Sequence, residues 1–274
     1  MSRPLAAITG ASSGIGAAFA RKLAPDHDLL LIARRRDRLK QLAAELESQH
    51  GAQVECLKAD LTEEADLAAL ADRLAGEPRL ALLVNNAGFG TTDRFWEAPL
   101  EGQERMHKLH VMATVRLTHA VLGNMVARDE GAVVNVSSVA AFVRNARSVS
   151  YCATKSWMAV FTEALQLELR SVSSKVAVQA LCPGFTYSEF HDVVGIDRRG
   201  LAPSAFWHTA EQVVEASLKG LRRGKLFVIP GWRYRVLTSI LTKLPTGWRL
   251  AFESAASKAR GRAVLRQPEV RRID

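Results

Sequence analysis

Short apolar runs alternate with longer amphipathic stretches along this chain. The runs lie at residues 5–9, 29–33, 53–57, 80–84, 132–136, 177–181 and 225–229. Most are continuous in Leu, Val, Ile and Ala rather than alternating with polar residues, so they read as parallel strands buried on both faces. Helical spacing fills the gaps, at 14–23, 37–49, 63–74, 102–127, 151–172 and 210–222. In "DRLKQLAAELESQ", for example, Leu39, Leu42, Ala43 and Leu46 form one apolar stripe. Strands and helices alternating in units of this size predict an α/β fold. Its core would be a doubly wound, seven-stranded parallel sheet with helices on both faces and right-handed crossovers.

Two stretches break the rhythm. The loop at 185–206 is long and follows the carboxyl end of a strand, the edge where open α/β sheets bind ligands. It is a candidate substrate lid. Beyond Pro230, Leu237, Ile240, Leu241 and Leu244 predict the apolar face of a helix. Trp248, Phe252 and Ala255 suggest a second helix after a break at 245–247. The expected organisation is a single catalytic domain over 1–230 and a helical extension over 231–274 that is not a domain of its own.

Charge changes the reading of that extension. The chain carries a formal net charge of +9, but residues 231–274 hold ten Lys/Arg against three Asp/Glu, a net of +7. The near-neutral body argues against nucleic-acid binding by the protein as a whole. No run of about 18 apolar residues is present. The start, "MSRPLAAITG", enters a strand without the apolar segment and cleavage site of a secretory signal, so a cytoplasmic location is expected. Cys56, Cys152 and Cys182 lie far apart with no C-x-x-C pair, as expected of reduced core thiols.

Candidate chemistry begins after the first strand. "ITGASSGIGAAFA" places Gly10, Gly14 and Gly16 between a strand and a helix. Glycines there let the backbone turn tightly and approach a pyrophosphate, whose charge the helix N-terminus favours. Ser12, Ser13 and Ile15, inside the turn, are candidate cofactor contacts with them. The second strand ends about 20 residues further on, where an acidic residue would bond the adenosine ribose of NAD. This chain has Ala33 there, followed by Arg34 and Arg35. A guanidinium forks onto a phosphate that a carboxylate would repel, so the arginines point to NADP(H), with Arg34, nearest the strand end, the better candidate for the 2′-phosphate and the Ser13 hydroxyl assisting it.

"SYCATKSWMAV" sets Tyr151 and Lys155 four apart on one helix face, and Ser138 follows the strand "AVVNV". A free tyrosine, with a pKa near ~10, is a poor acid–base catalyst at neutral pH. A neighbouring ammonium favours the phenolate and is expected to lower that value. A serine hydroxyl can hold a substrate carbonyl for hydride attack.

These pieces together resemble a classical short-chain dehydrogenase/reductase, of an NADP-preferring type with a basic C-terminal extension. The matching segments are "TGASSGIG", "NNAG" at 85–88, Asp60 in "ADL", Ser138 with "YCATK", and "PGFTYSEF" at 183–190, a resemblance running from about residue 4 to 230. It implies a Rossmann-type fold. It further implies Asp60 and Leu61 beside the adenine, and Asn86, Ala87 and Gly88 along the cofactor. Pro183, Gly184 and Thr186 would lie by the nicotinamide. Tyr151 would be the general acid in reduction, Lys155 its partner and a ribose ligand, and Ser138 the group that orients the carbonyl. The family usually places an asparagine in the long helix before the serine strand, where it helps hold a water in the proton relay. Apolar spacing puts His110 there, either as a relay member through a ring nitrogen or as a packing residue. His107, one turn away, lacks a third partner for a metal, and no metal is expected.

Phe89, Phe95, Trp96, Phe142, Tyr187, Phe190, Phe206 and Trp207 fall in or near loops expected over the site. As a set they favour a bulky, apolar carbonyl or alcohol, such as a long-chain 3-oxoacyl compound, a steroid-like molecule or an aromatic ketone. The extension could pack beside the lid, narrowing the pocket or forming a dimer contact, or lie on an anionic membrane. The resemblance separately implies a homodimer or homotetramer. The rival reading is a nucleotide-binding redox sensor or scaffold on the same fold.

Overall fold

A computed structural model describes residues 3–91, 93–189 and 203–265, with side chains as far as 257. Seven parallel strands form the sheet: β1 (Leu5–Thr9), β2 (Asp28–Ala33), β3 (Val54–Lys58), β4 (Leu80–Asn85), β5 (Ala132–Val136), β6 (Ala177–Leu181) and, at the edge, Phe227–Val228. Their order is β3-β2-β1-β4-β5-β6 and then the Phe227–Val228 strand. The order reverses between β1 and β4, and the strands' carboxyl ends open a crevice there.

The continuous apolar runs have a simple cause. Ala6 and Ile8 of β1 face one core layer with Leu29 and Leu31 of β2, closed by α1 (Gly14–Leu23) and α2 (Arg36–His50). Leu5, Ala7, Leu30 and Ile32 face the other layer, where α3 (Glu64–Ala75) packs. No face of these strands meets water, so no position needs to be polar. A buried amide–hydroxyl chain crosses the sheet centre: Asn85 Nδ2 donates to Thr118 Oγ1 and Asn135 Oδ1, and Asn135 Nδ2 donates to Thr162 Oγ1. Each bond fixes the register of one element against the next.

The structure departs from the sequence pattern in four places. The helix expected at 102–127 is three pieces: α4 (Leu100–His107), a π-helical turn (Lys108–Met112) and α5 (Ala113–Arg128). The last sheet strand is shorter than 225–229 and pairs with β6 only at Ala180–Phe227 and Leu181–Val228. A second, two-stranded parallel sheet pairs β7 (Thr186–Tyr187) with β8 (His208–Thr209), so the chain strand at Phe227–Val228 is β9. The fourth departure is in the extension.

The long α6 (Val149–Ser171) packs against β5 and β6, and α7 (Ala210–Leu221) lies against α1. In the extension, α8 (Trp232–Lys243) buries Tyr234, Thr238 and Leu241, while Ile240 of the expected face is 55% exposed. Two inward polar residues are tolerated because their hydroxyls are satisfied: Thr238 Oγ1 donates to the Tyr234 carbonyl at 2.8 Å, and Tyr234 bonds into the active-site loops. In α9 (Thr246–Leu265), Trp248 and Phe252 face out, and Glu253 is buried, accepting the Arg144 N–H at 2.8 Å. Phe190, most of the expected lid and the segment 266–274 lie outside the described residues. No described helix is long and apolar enough to cross a membrane.

Candidate active site

The crevice at the strand ends is a cavity of about 630 Å³. Gly10, Ser12, Ser13, Gly14 and Ile15 line it from the glycine turn, and Arg34, Arg35, Asp60 and Leu61 from the ends of β2 and β3. Asn86, Ala87, Gly88, Ser138, Tyr151, Lys155, Pro183, Gly184 and Thr186 complete it from β4, β5, α6 and the segment after β6. Gly16 and His110 stand behind the wall.

The turn is built on close backbone approaches. A Cβ on Gly16 would lie 2.3 Å from the Gly10 carbonyl oxygen, and one on Gly10, at φ +67°, would lie 2.8 Å from Asn86 Nδ2. Asn86 is the tie between strands: its side-chain amide donates to the Thr9 carbonyl at 2.9 Å and the Gly10 carbonyl at 3.3 Å. Thr9 Oγ1 accepts the N–H groups of Asn86 and Ala87.

The two arginines after β2 take different directions. Arg34 is 69% exposed and sits 3.8 Å from Asp60. Arg35 lies against the glycine turn, donating to Ser12 Oγ at 3.0 Å and Ser13 Oγ at 2.8 Å, and to Glu189 at 2.7 Å. Burial opposes ionisation of Asp60, but two bonds from Thr62 and the charges of Arg34 and Arg105 hold its carboxyl below the usual range. Arg105 donates to it at 3.1 Å from α4 and lines the same cavity; its sequence context gave no signal of this.

At the chemical centre, Ser138 caps a short 3₁₀ turn, accepting the Ala140 N–H at 3.1 Å, and its hydroxyl also bonds the Tyr151 phenol. Lys155 is 4% exposed; its ammonium donates to the Val136 carbonyl at 2.8 Å and stands 5.8 Å from the Tyr151 ring centroid. The expected lowering of the tyrosine pKa is not what this environment gives. Burial dominates and pushes Tyr151 up to about 12, only partly opposed by Ser138. Burial likewise brings Lys155 down to about 7. The phenol is thus held protonated at neutral pH, and the ammonium titrates near neutrality.

His110 lies in the π-turn, fully buried. Its Nε2 accepts the Phe89 N–H at 3.2 Å, which leaves Nδ1 as the donor to Thr154 Oγ1 at 2.9 Å, and Thr154 in turn donates to the Tyr151 carbonyl at 3.2 Å. Burial, then the nearby Lys155 charge, push its pKa well below the usual value, so the ring is neutral. A Cβ on Gly88 would come within 2.7 Å of that ring.

Of the aromatic set, Phe89 and Phe206 reach the cavity. Trp207 instead stacks between Phe185 and Tyr187, at 5.2 and 4.8 Å, and Phe142 packs on Phe227 at 6.0 Å. Phe95 and Trp96 are exposed. A residue missed in the sequence takes their place: Tyr234 of α8 lines the cavity, accepts the Phe185 N–H at 2.9 Å and donates to the Phe206 carbonyl at 2.8 Å. Its i, i+4, i+7 spacing with Thr238 and Leu241 was the available signal, masked by the hydroxyls of Tyr234 and Thr238.

The family profile described as short chain dehydrogenase matches residues 4–198. The chain belongs to the short-chain dehydrogenases. Among solved structures, a short-chain dehydrogenase from Sphingobium yanoikuyae in complex with NADPH is 36% identical, with a TM-score of 0.79 and 99% of each chain covered. The bulky-bulky ketone specific alcohol dehydrogenase from Comamonas testosteroni is 28% identical, with a TM-score of 0.75, covering 100% of this chain and 98% of that one. A curated relative, the NADP-dependent 3-hydroxy acid dehydrogenase of Schizosaccharomyces pombe, is 30% identical over 81% of this chain and 88% of its own. The dehydrogenase's cofactor is NADP(H). Its residues fit that group: the glycine turn leaves no room for side chains, and Arg35 is braced to receive an anion.

Proposed function

We propose that this dehydrogenase interconverts a ketone flanked by bulky apolar groups and its secondary alcohol. One observation carries the reading. The cavity that holds the glycine turn, Ser138 and Tyr151 is walled elsewhere by Phe89, Val143, Phe206 and Leu237. The specificity named for the Comamonas neighbour supports the same substrate class.

NADP(H) supplies the hydride for reduction, or takes it up in oxidation. Asn86 fixes the cradle for its pyrophosphate, and Arg35, with Ser12 and Ser13, receives the 2′-phosphate that distinguishes it from NAD(H). Ser138 donates to the substrate carbonyl oxygen and holds it in place. Tyr151, protonated at neutral pH, passes its proton to that same oxygen. The Lys155 ammonium steadies the phenolate that this leaves behind. The apolar wall excludes water and strengthens each of these interactions. His110 is a positioning residue in this reading: both ring nitrogens are committed, one to Phe89 and one to the Thr154–Tyr151 chain, so it fixes the phenol's helix without carrying a proton.

A panel of carbonyl substrates, followed by NADPH oxidation, tests the substrate class. Aryl ketones and steroid ketones should give a higher kcat/KM than a small 3-oxo acid, with 3-oxoacyl thioesters as the intermediate arm. A preference for the small acid would refute the bulky-substrate reading. NADPH binding without turnover of any substrate would instead favour a nucleotide-binding sensor or scaffold.

A further inference from the structure

The cofactor groove holds a carboxylate where the sequence leaves room for a phosphate. Ala33 occupies the end of β2, the position of the acid in NAD-dependent folds, and brings no charge. An anion nonetheless reaches the arginines that follow, from the opposite side of the groove. Glu189 Oε2 accepts from Arg35 Nη1 at 2.7 Å, and its Oε1 accepts from Arg38. The same Arg35 guanidinium donates to Ser12 and Ser13 in the glycine turn. Glu189 thus completes a shell of two guanidinium groups and two hydroxyls.

The backbone carrying Glu189 starts from the Pro183–Gly184 turn, through β7, and runs onto the glycine turn. A Cβ on Gly14 would lie 3.0 Å from Ser188 Cβ. Residues 188 and 189 therefore bridge the groove from the Tyr151 side to the β2 side. The bridge is held by charge more than by burial, since Arg35, Arg38 and Glu189 are 42%, 47% and 38% exposed. A solvated ion pair of this kind is weak enough to exchange. A phosphate, with nearly two charges and three acceptor oxygens, matches the forked donors better than one carboxylate does.

We propose that Glu189 is an internal anion occupying the 2′-phosphate subsite, exchanged for the phosphate when NADP(H) binds, and so a determinant of cofactor discrimination. The inference rests on the reading that Arg35 receives the 2′-phosphate. It gives the discrimination a second part. NADP(H) displaces Glu189 and takes over both arginines. NAD(H), with only hydroxyls on its ribose, has nothing to exchange for it and leaves the bridge in place. The cost of displacement falls on NADP(H) alone, so this chain binds its own cofactor less tightly than its arginines allow, and releases it more readily.

The test measures binding, not turnover. Dissociation constants for NADPH, NADH, 2′,5′-ADP and 5′-AMP are compared in the wild type, Glu189→Gln and Arg35→Ala, by NADPH or NADH fluorescence and by calorimetry for the adenosine phosphates. Circular dichroism checks that each variant folds. Glu189→Gln should tighten NADPH and 2′,5′-ADP on the order of three- to tenfold, while NADH and 5′-AMP do not tighten. Arg35→Ala should weaken the two 2′-phosphorylated ligands selectively. If Arg35→Ala behaves so but Glu189→Gln leaves NADPH unchanged, or tightens NADH equally, the exchange proposal alone is wrong. If Arg35→Ala does not weaken 2′,5′-ADP, the phosphate subsite has been misplaced and the proposal falls with it.

Discussion

Tyr151 and Lys155 are adjacent on one helix face, yet burial drives their titrations apart. The phenol, at about 12, stays protonated through the whole working range, whereas the ammonium, at about 7, is lost as pH rises through neutrality. The sign follows from which form is uncharged: burial favours the protonated phenol and the deprotonated amine. The kcat/KM of ketone reduction should therefore show a falling limb that begins near pH 7, well below the ordinary lysine value of about 10.4. His110 should add no limb near 6.5, because its ring stays neutral. His110→Asn, which can accept from Phe89 N–H and donate to Thr154 through one amide, should keep the same profile and most of the rate. A profile that loses a limb in His110→Asn would mean that the imidazole carries a proton after all.

The motifs predicted from sequence are local ones, and each is held by elements that its own stretch does not reveal. The glycine turn, Asn86, Ser138, Tyr151 and Lys155 were legible because their chemistry forces residue type and spacing together. The π-turn at Lys108–Met112 was not, because a single extra residue in a helix leaves the apolar periodicity almost intact. The pairing of Glu189 with Arg38 and Arg35 gave no signal, since those partners are 151 and 154 residues away in the chain. α8 was placed but rotated: aliphatic spacing favoured Ile240 over Tyr234, whose hydroxyl finds both its partners in other elements. Through Tyr234 the extension grips the turn at Gly184, where a Cβ would meet the phenol ring at 2.1 Å. Tyr234→Phe keeps the ring but removes the phenol's bonds to the Phe185 N–H and the Phe206 carbonyl. It should cost about 1–3 kcal/mol in urea unfolding. It should also shrink the extra stability that saturating NADPH confers, because the Gly184 turn, which lines the cavity, is no longer braced. An unchanged NADPH increment would limit Tyr234 to a packing role.

At the scale of the whole molecule, one topological fact gathers the parts. Strand order reverses between β1 and β4, so the ends of β1, β2, β4, β5 and β6 open on the same crevice. The glycine turn and Arg35 come from one half of the sheet, and Ser138, Tyr151 and Pro183–Gly184 from the other. The basic surplus belongs chiefly to the extension rather than to this crevice, which is why the overall charge of +9 says little about the ligand.

In the proposed reaction Tyr151 delivers the proton to the carbonyl oxygen while the cofactor site stands independently of it. Single-turnover NADPH oxidation with an aryl ketone, in the wild type and in Tyr151→Phe, tests this most directly, with the NADPH dissociation constant measured on both. The variant should lose rate on the order of 10² to 10⁴, with NADPH binding nearly unchanged. A variant that turns over at the wild-type rate would contradict it.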